Sequence, residues 1–264
     1  MCSSDLLAGD RTLVAASDGQ HAWIVVDRAR ASGIEHVLLH HAAAMGCDCA
    51  REAFVLPQVP EAMAAKDAAL WLAMPPAAAG ARRDVYSLEV ARNPATGSFF
   101  SVPEGRMVIH PSLPGEGDLL GLAVLDAVPV ALRSGAALEV LRPSGWAPLP
   151  DAPAAMGMRL VMADGAPALV DAAGTVRIRR DAGTWGSPSF QGPGASCLGL
   201  IDGTSRPAVL MRVDGGERAL AFLRPDGPPL RFASFPAPDR ASAVLGVGGR
   251  VGLFLPTGER SEEH

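Results

Sequence analysis

The sequence predicts an all-β fold of repeated, four-stranded antiparallel units. Three observations carry this. Short apolar runs alternate with Gly paired to Asp, Ser or Gly from about residue 116 onward. Corresponding turns recur at nearly constant spacing. The 29 Gly and 23 Pro are spread along the 264 residues instead of gathering in one linker. Asp-Gly and Ser-Gly between apolar runs are hairpin signals, because such pairs accept the positive φ that tight antiparallel turns demand.

The clearest unit runs Leu119 to Leu125, Val128 to Leu132, Leu138 to Leu141, then a strand entered through Ser144-Gly145-Trp146. A second runs Arg159 to Met162, Ala168 to Val170 and Val176 to Arg180, with Asp181-Ala182-Gly183-Thr184-Trp185 closing it. A third runs Leu198 to Ile201, Val209 to Val213, Ala219 to Leu223 and Leu230 to Phe235. Gly165 and Gly203 lie 38 positions apart, Gly145 and Gly183 also 38, and Gly183 and Gly227 44. A period of about 40 with four strands per unit is the spacing of propeller blades. Leu141-Arg142-Pro143-Ser144-Gly145 and Leu223-Arg224-Pro225-Asp226-Gly227 match at the same place in the unit, and Leu255-Pro256-Thr257-Gly258 echoes them. One such sheet cannot bury both of its faces and needs like neighbours on each side. The expected architecture is therefore a β-propeller spanning 1–264 as one domain, of about six blades, with five to seven compatible with the period.

The first 115 residues follow the pattern less cleanly. Leu13 to Ala16, Ala22 to Val26, Val37 to Leu39 and Phe54 to Leu56 make one blade. Val85 to Ala91, Asn93 to Gly97, Phe99 to Val102 and Met107 to His110 supply strands for another. Between them, Pro60 to Met74 is rich in Ala and Met behind a leading Pro, which predicts an inserted helix or else Ala-rich strands. After Asp239 only Ala243 to Val247 and Val251 to Leu255 read as strands. The last blade is expected to be completed from the other terminus, by residues such as Leu6, Leu7 and Leu13 to Ala15, because closure removes an exposed sheet edge.

Composition narrows function by exclusion. A net charge of −5 argues against nucleic acid or an anionic membrane as the default partner, since both demand a concentrated basic surface. Arg177, Arg179 and Arg180 form the densest basic run and read as a solvated strand face, Arg177 and Arg179 pointing one way and Val176, Ile178 and Arg180 the other. No uninterrupted apolar stretch reaches the ~20 residues of a spanning helix. Met1-Cys2-Ser3-Ser4-Asp5 lacks the charged and apolar regions of a secretory leader, so the expected compartment is the cytoplasm; a chain whose leader had been cleaved ahead of it, a lipoprotein at Cys2 included, would read the same and be extracytoplasmic. Four Cys are too few for a disulfide framework.

Arg179-Arg180-Asp181-Ala182-Gly183-Thr184-Trp185 resembles the Asp-box of sialidase-like propellers, in which Asp and Gly close the hairpin between outer strands and a Trp packs beneath. It lacks the leading Ser or Thr and is one residue short before Thr-Trp; Ser144-Gly145-Trp146 is a fainter echo. The resemblance implies a folding device remote from catalysis. A sialidase needs an arginine triad with a Tyr and Glu pair, whereas Tyr86 is the one Tyr and Glu89, three positions on, faces the other side of a strand.

His36, His40, His41, Cys47 and Cys49 concentrate zinc or copper ligands within 14 residues. His36 and His40 are expected to share a face only if the segment is helical, and Cys47-Asp48-Cys49 differs from the usual Cys-x-x-Cys knuckle. Gly246-Val247-Gly248-Gly249 and Gly215-Gly216 do not open helices and read as turns, not phosphate cradles. Apart from that zinc or copper reading, no cofactor is implied. Trp23, Trp71, Trp146 and Trp185 fall in different units, as blade-packing residues would. The expected function is a binding or assembly module for a protein partner or for a second copy of itself; the alternative is a hydrolase or lyase acting on a glycan through channel carboxylates such as Asp118, Asp126, Asp164 or Asp202.

Overall fold

The computed structural model describes residues 10–42, 51–89, 91–92, 99–100, 107–163, 165–171, 176–179, 183–186, 195–201, 208–213, 218–222, 230–235, 243–247, 250–254 and 260–263. Sheet 1 is β1 (Arg11–Ser17), β2 (His21–Arg30), β3 (Gly33–Ala42) and β4 (Arg51–Leu56), in that order. Sheet 2 takes β5 (Ala62–Lys66), β6 (Ala69–Ala73) and β7 (Arg83–Glu89), then skips the short ladder β8 (Ala91–Arg92) with β9 (Phe99–Phe100) and ends on β10 (Val108–Leu113). Sheet 3 is β11 (Leu119–Leu125), β12 (Val128–Arg133), β13 (Glu139–Arg142) and β14 (Gly145–Pro148). Sheet 4 is β15 (Met158–Ala163), β16 (Ala166–Asp171), β17 (Val176–Arg179) and β18 (Trp185–Gly186). Sheet 5 is β19 (Ala195–Leu200), β20 (Ala208–Val213), β21 (Arg218–Phe222) and β22 (Leu230–Phe235). Among the described residues sheet 6 has three strands, β23 (Ala243–Val247), β24 (Arg250–Phe254) and β25 (Arg260–Glu263).

All pairings are antiparallel between sequence neighbours within a sheet. First strands meet across sheets: β1 touches β5, β5 touches β11, β11 touches β15, β15 touches β19, and β23 touches β1. Sheets stacked in chain order through their first strands, with the last against the first, are the blades of a β-propeller. β1, which carries Leu13 to Ala15, is paired into sheet 1; Leu6 and Leu7 lie outside the described residues.

The stretch 60–74 forms no helix. It is the hairpin β5–β6, and the pleat explains why composition misleads here. Ala62, Ala64, Trp71 and Ala73 pack toward sheet 3, while Met63, Ala65, Leu70 and Leu72 pack toward sheet 1. A strand buried on both faces has no polar alternation to announce it. Asp67 (φ 50) and Ala68 (φ 62) turn the chain, and Asp126 (φ 47) and Ala127 (φ 64) do the same between β11 and β12. Two consecutive positive φ values are the type I′ hairpin geometry, reached here with Asp-Ala in place of Asp-Gly. Sheet 2 therefore draws its two inner strands from 62–73, and Ala91–Arg92 pairs with Phe99–Phe100 in a side ladder; Asn93 to Gly97 lies outside the described residues.

Three arginines pin the opposite end of the blades, where first strands begin. Arg28 is held by Asp10 (2.7 and 3.1 Å) and by Glu52 (3.0 Å), with 4% of its side chain exposed. Arg83 binds Glu61 with two nitrogens (2.6 and 3.2 Å) and donates to the carbonyls of Pro114 and Gly117. Arg133 binds Glu139 at 2.9 Å and donates to the Glu116 carbonyl. The last two tie the link between sheets 2 and 3 to both of them.

Candidate functional site

The outer margins of sheets 1 and 2 carry three of the exposed large hydrophobic residues, Val55 on β4 and Val108 and Ile109 on β10. Phe54 on β4, Tyr86 on β7 and Met107 pack half-buried at the edge of the core shared by the two sheets. Beyond them β10 is the outermost strand of sheet 2, so one side of its backbone is unpaired within the sheet. Val108 is 50% and Ile109 70% exposed there. Farther along, Trp146 of sheet 3 donates its indole N–H to the Pro111 carbonyl at 2.8 Å. The open part of the edge is thus 108–110. His110 turns inward, its Nε2 2.7 Å from Ser87 Oγ and its ring 4.5 Å from Trp71, and burial lowers its pKa. Exposed Asp84 and Glu89 lie on the neighbouring strand β7.

The histidines of β2 and β3 form a second cluster. His40 Nε2 lies 3.0 Å from His21 Nδ1, with the rings stacked at 5.3 Å and Trp23 5.2 Å from His40. His40 is 1% exposed and its Nδ1 has no hydrogen-bond partner. Desolvation, reinforced by His21 and His41, pushes His40 down to about 3; His21 is lowered by burial despite Asp18. His36 instead bonds Asp27 at 2.8 Å. The segment is a strand, so His36 and His40 do share a face, but four residues separate them by about 13 Å, too far for one ion. Among the described residues no group of three or more His, Cys, Asp and Glu side chains is placed to hold a metal. Cys47 and Cys49 lie outside the described residues.

These shifts give a pH dependence with a definite sign. Both rings stay neutral in the fold where an unfolded chain would take up protons, so their contribution is complete above the free value near 6.5 and is lost on acidification. For His40 the loss continues down to about 3. Between pH 6 and 4.5 the His40 ring removes up to about 1.4 kcal/mol per pH unit. The urea midpoint of wild type should therefore fall relative to that of His40→Phe as pH falls. Parallel pH curves would show that His40 takes up its proton as readily in the fold as in the unfolded chain.

No protein-family model matches the sequence, and no curated protein is significantly similar to it. Three solved structures resemble the chain at low identity. YCF48 bound to a D1 peptide is 12% identical with a TM-score of 0.44, covering 97% of this chain and 93% of that one. The WD40 β-propeller domain of Doa1 is 9% identical with a TM-score of 0.42, covering 94% and 76%. A chain of a mitotic checkpoint complex is 9% identical with a TM-score of 0.43, covering 90% and 71%.

Asp118 and Asp126 flank β11 at its two ends, so an extended strand of seven residues, about 24 Å, holds them apart. Asp164 and Asp202 lie outside the described residues. In the stretch resembling an Asp-box, Arg179 pairs with Trp185 across the hairpin, Gly183 takes φ 80 and Trp185 packs on the core of sheets 2 to 4; Asp181 is outside the described residues. Val176 and Ile178 face sheet 5, as their alternation predicts. Arg179 is not a solvated residue, however: it is only partly exposed and its Nη1 is buried. No helix among the described residues is long and apolar enough to cross a membrane.

Proposed function

We propose that this propeller is a protein-recognition module and that the open edge of β10 receives an extended segment of its partner. The observation that carries this is the pair Val108 and Ile109, adjacent, 50% and 70% exposed, on an outermost strand. An unpaired strand edge offers a row of main-chain donors and acceptors, and exposed apolar side chains on it supply specificity to an added strand. The acidity of the chain, −5 overall with Asp84 and Glu89 exposed on β7, favours a partner segment with Lys or Arg flanking its apolar residues.

Panning a random peptide display library on the protein tests this. Apolar peptides with basic flanks should be enriched and should lose about tenfold or more in affinity on Ile109→Lys, equivalent to about 1.4 kcal/mol or more. Ile34→Lys, at a residue also 70% exposed but on β3, should leave binding intact. Peptides that bind Ile109→Lys as well as wild type would overturn the reading. Self-association that Ile109→Lys abolishes, seen by mass photometry, would assign the edge to a second copy instead.

A further inference from the structure

We infer that sheet 4 carries a carboxylate-binding site built from Arg179 and Trp185. The repeat itself exposes it. In sheet 3, Leu141 stands across the outer hairpin from Trp146, and the Trp146 indole N–H is satisfied by the Pro111 carbonyl of the preceding sheet. In sheet 4, the position across from Trp185 is Arg179. A residue 8% exposed in the core of one blade is replaced in the next by a guanidinium.

Neither donor of that pair is satisfied. Arg179 Nη1 and Trp185 Nε1 are both buried and both lack a hydrogen-bond partner. A buried donor without an acceptor is unfavourable, and a guanidinium nitrogen more so than a neutral one. A Cβ at Gly183, which takes φ 80, would stand 3.4 Å from Arg179 Nη2, so the turn backbone lies against the guanidinium. Arg179 and Trp185 stand opposite each other on adjacent strands, so the two side chains share one face of the sheet. A planar carboxylate matches two neighbouring N–H donors, one of them charged, better than a neutral carbonyl does. The site lies on sheet 4 and is independent of the β10 edge.

The test follows the Trp185 indole N–H resonance by NMR at constant ionic strength, with sodium glutarate in one arm and a Glu-rich decapeptide in the other. A saturable shift in either arm supports the site, and the arm that saturates at lower concentration identifies a free acid or a protein side chain as its source. Arg179→Leu, which restores the residue that sheet 3 uses, should weaken the response about tenfold or more. It should also raise the thermal midpoint, because it removes a buried N–H that has no acceptor. Three results would overturn the inference: no saturable shift in either arm, an unchanged response in Arg179→Leu, or a response that appears only in Asp181→Asn, which would show that the turn's own carboxylate fills the site.

Discussion

Arg83→Met is expected to lower the unfolding free energy by about 3–5 kcal/mol, the range seen when one partner of a buried, hydrogen-bonded ion pair is removed. Arg83 is 4% exposed on its side chain, and it serves three pieces of chain at once. Nε and Nη2 grip Glu61, which precedes β5, while Nη2 also donates to the Gly117 carbonyl and Nη1 to the Pro114 carbonyl in the link to sheet 3. Glu61 in turn accepts from the Leu119 amide at the start of β11. Methionine keeps the stem and its packing but leaves two carbonyls and a part-buried carboxylate unpaired. Lysine restores the charge without the fork, so Arg83→Lys should recover only part of the loss. Urea unfolding followed by tryptophan fluorescence gives the number, and a loss under about 1 kcal/mol would mean that solvent replaces the clamp.

The fold was legible wherever turn chemistry announced the strand. Asp18-Gly19 and Ser144-Gly145 sit between apolar runs, and β1–β2 and β13–β14 follow. It was least legible at 60–74, where the turn uses Asp67-Ala68 and both flanking strands are buried on both faces. Small Ala side chains there permit neighbouring sheets to approach, a tertiary requirement that outweighs helix propensity. A second Asp-Ala in the same role at 126–127 was the available signal.

Less of the candidate site could be read. An exposed Val-Ile pair looks the same in sequence as a buried one, and only the sheet order makes β10 an edge. Arg179 stood in a basic run that resembled a solvated face until its pairing with Trp185 was set beside Leu141 with Trp146. Arg83, in Arg82-Arg83-Asp84, gave no sign of burial, because its partner Glu61 lies 22 residues away. Pairings that depend on sheet stacking leave no local trace.

Gly121→Ala is expected to cost more than about 4 kcal/mol. Gly121 sits in β11 at a register irregularity, with φ +146, directly against the first strand of sheet 4. A Cβ there would lie 1.8 Å from the Leu160 carbonyl oxygen and 2.7 Å from its carbon. Both obstructing atoms are backbone, so no side chain can rotate away. The two sheets would have to separate along a close-packed seam that includes Leu122, Leu160 and Met162, and interiors of that density do not yield by an ångström without losing contacts along the whole seam. Gly135→Ala is the control: its φ is +74, yet nothing lies within 4 Å of the added carbon, so it carries backbone strain alone, about 1 kcal/mol. Thermal and urea unfolding of the two variants separate the causes. Equal losses would mean that conformational strain, not the approach of sheet 3 to sheet 4, accounts for the glycine.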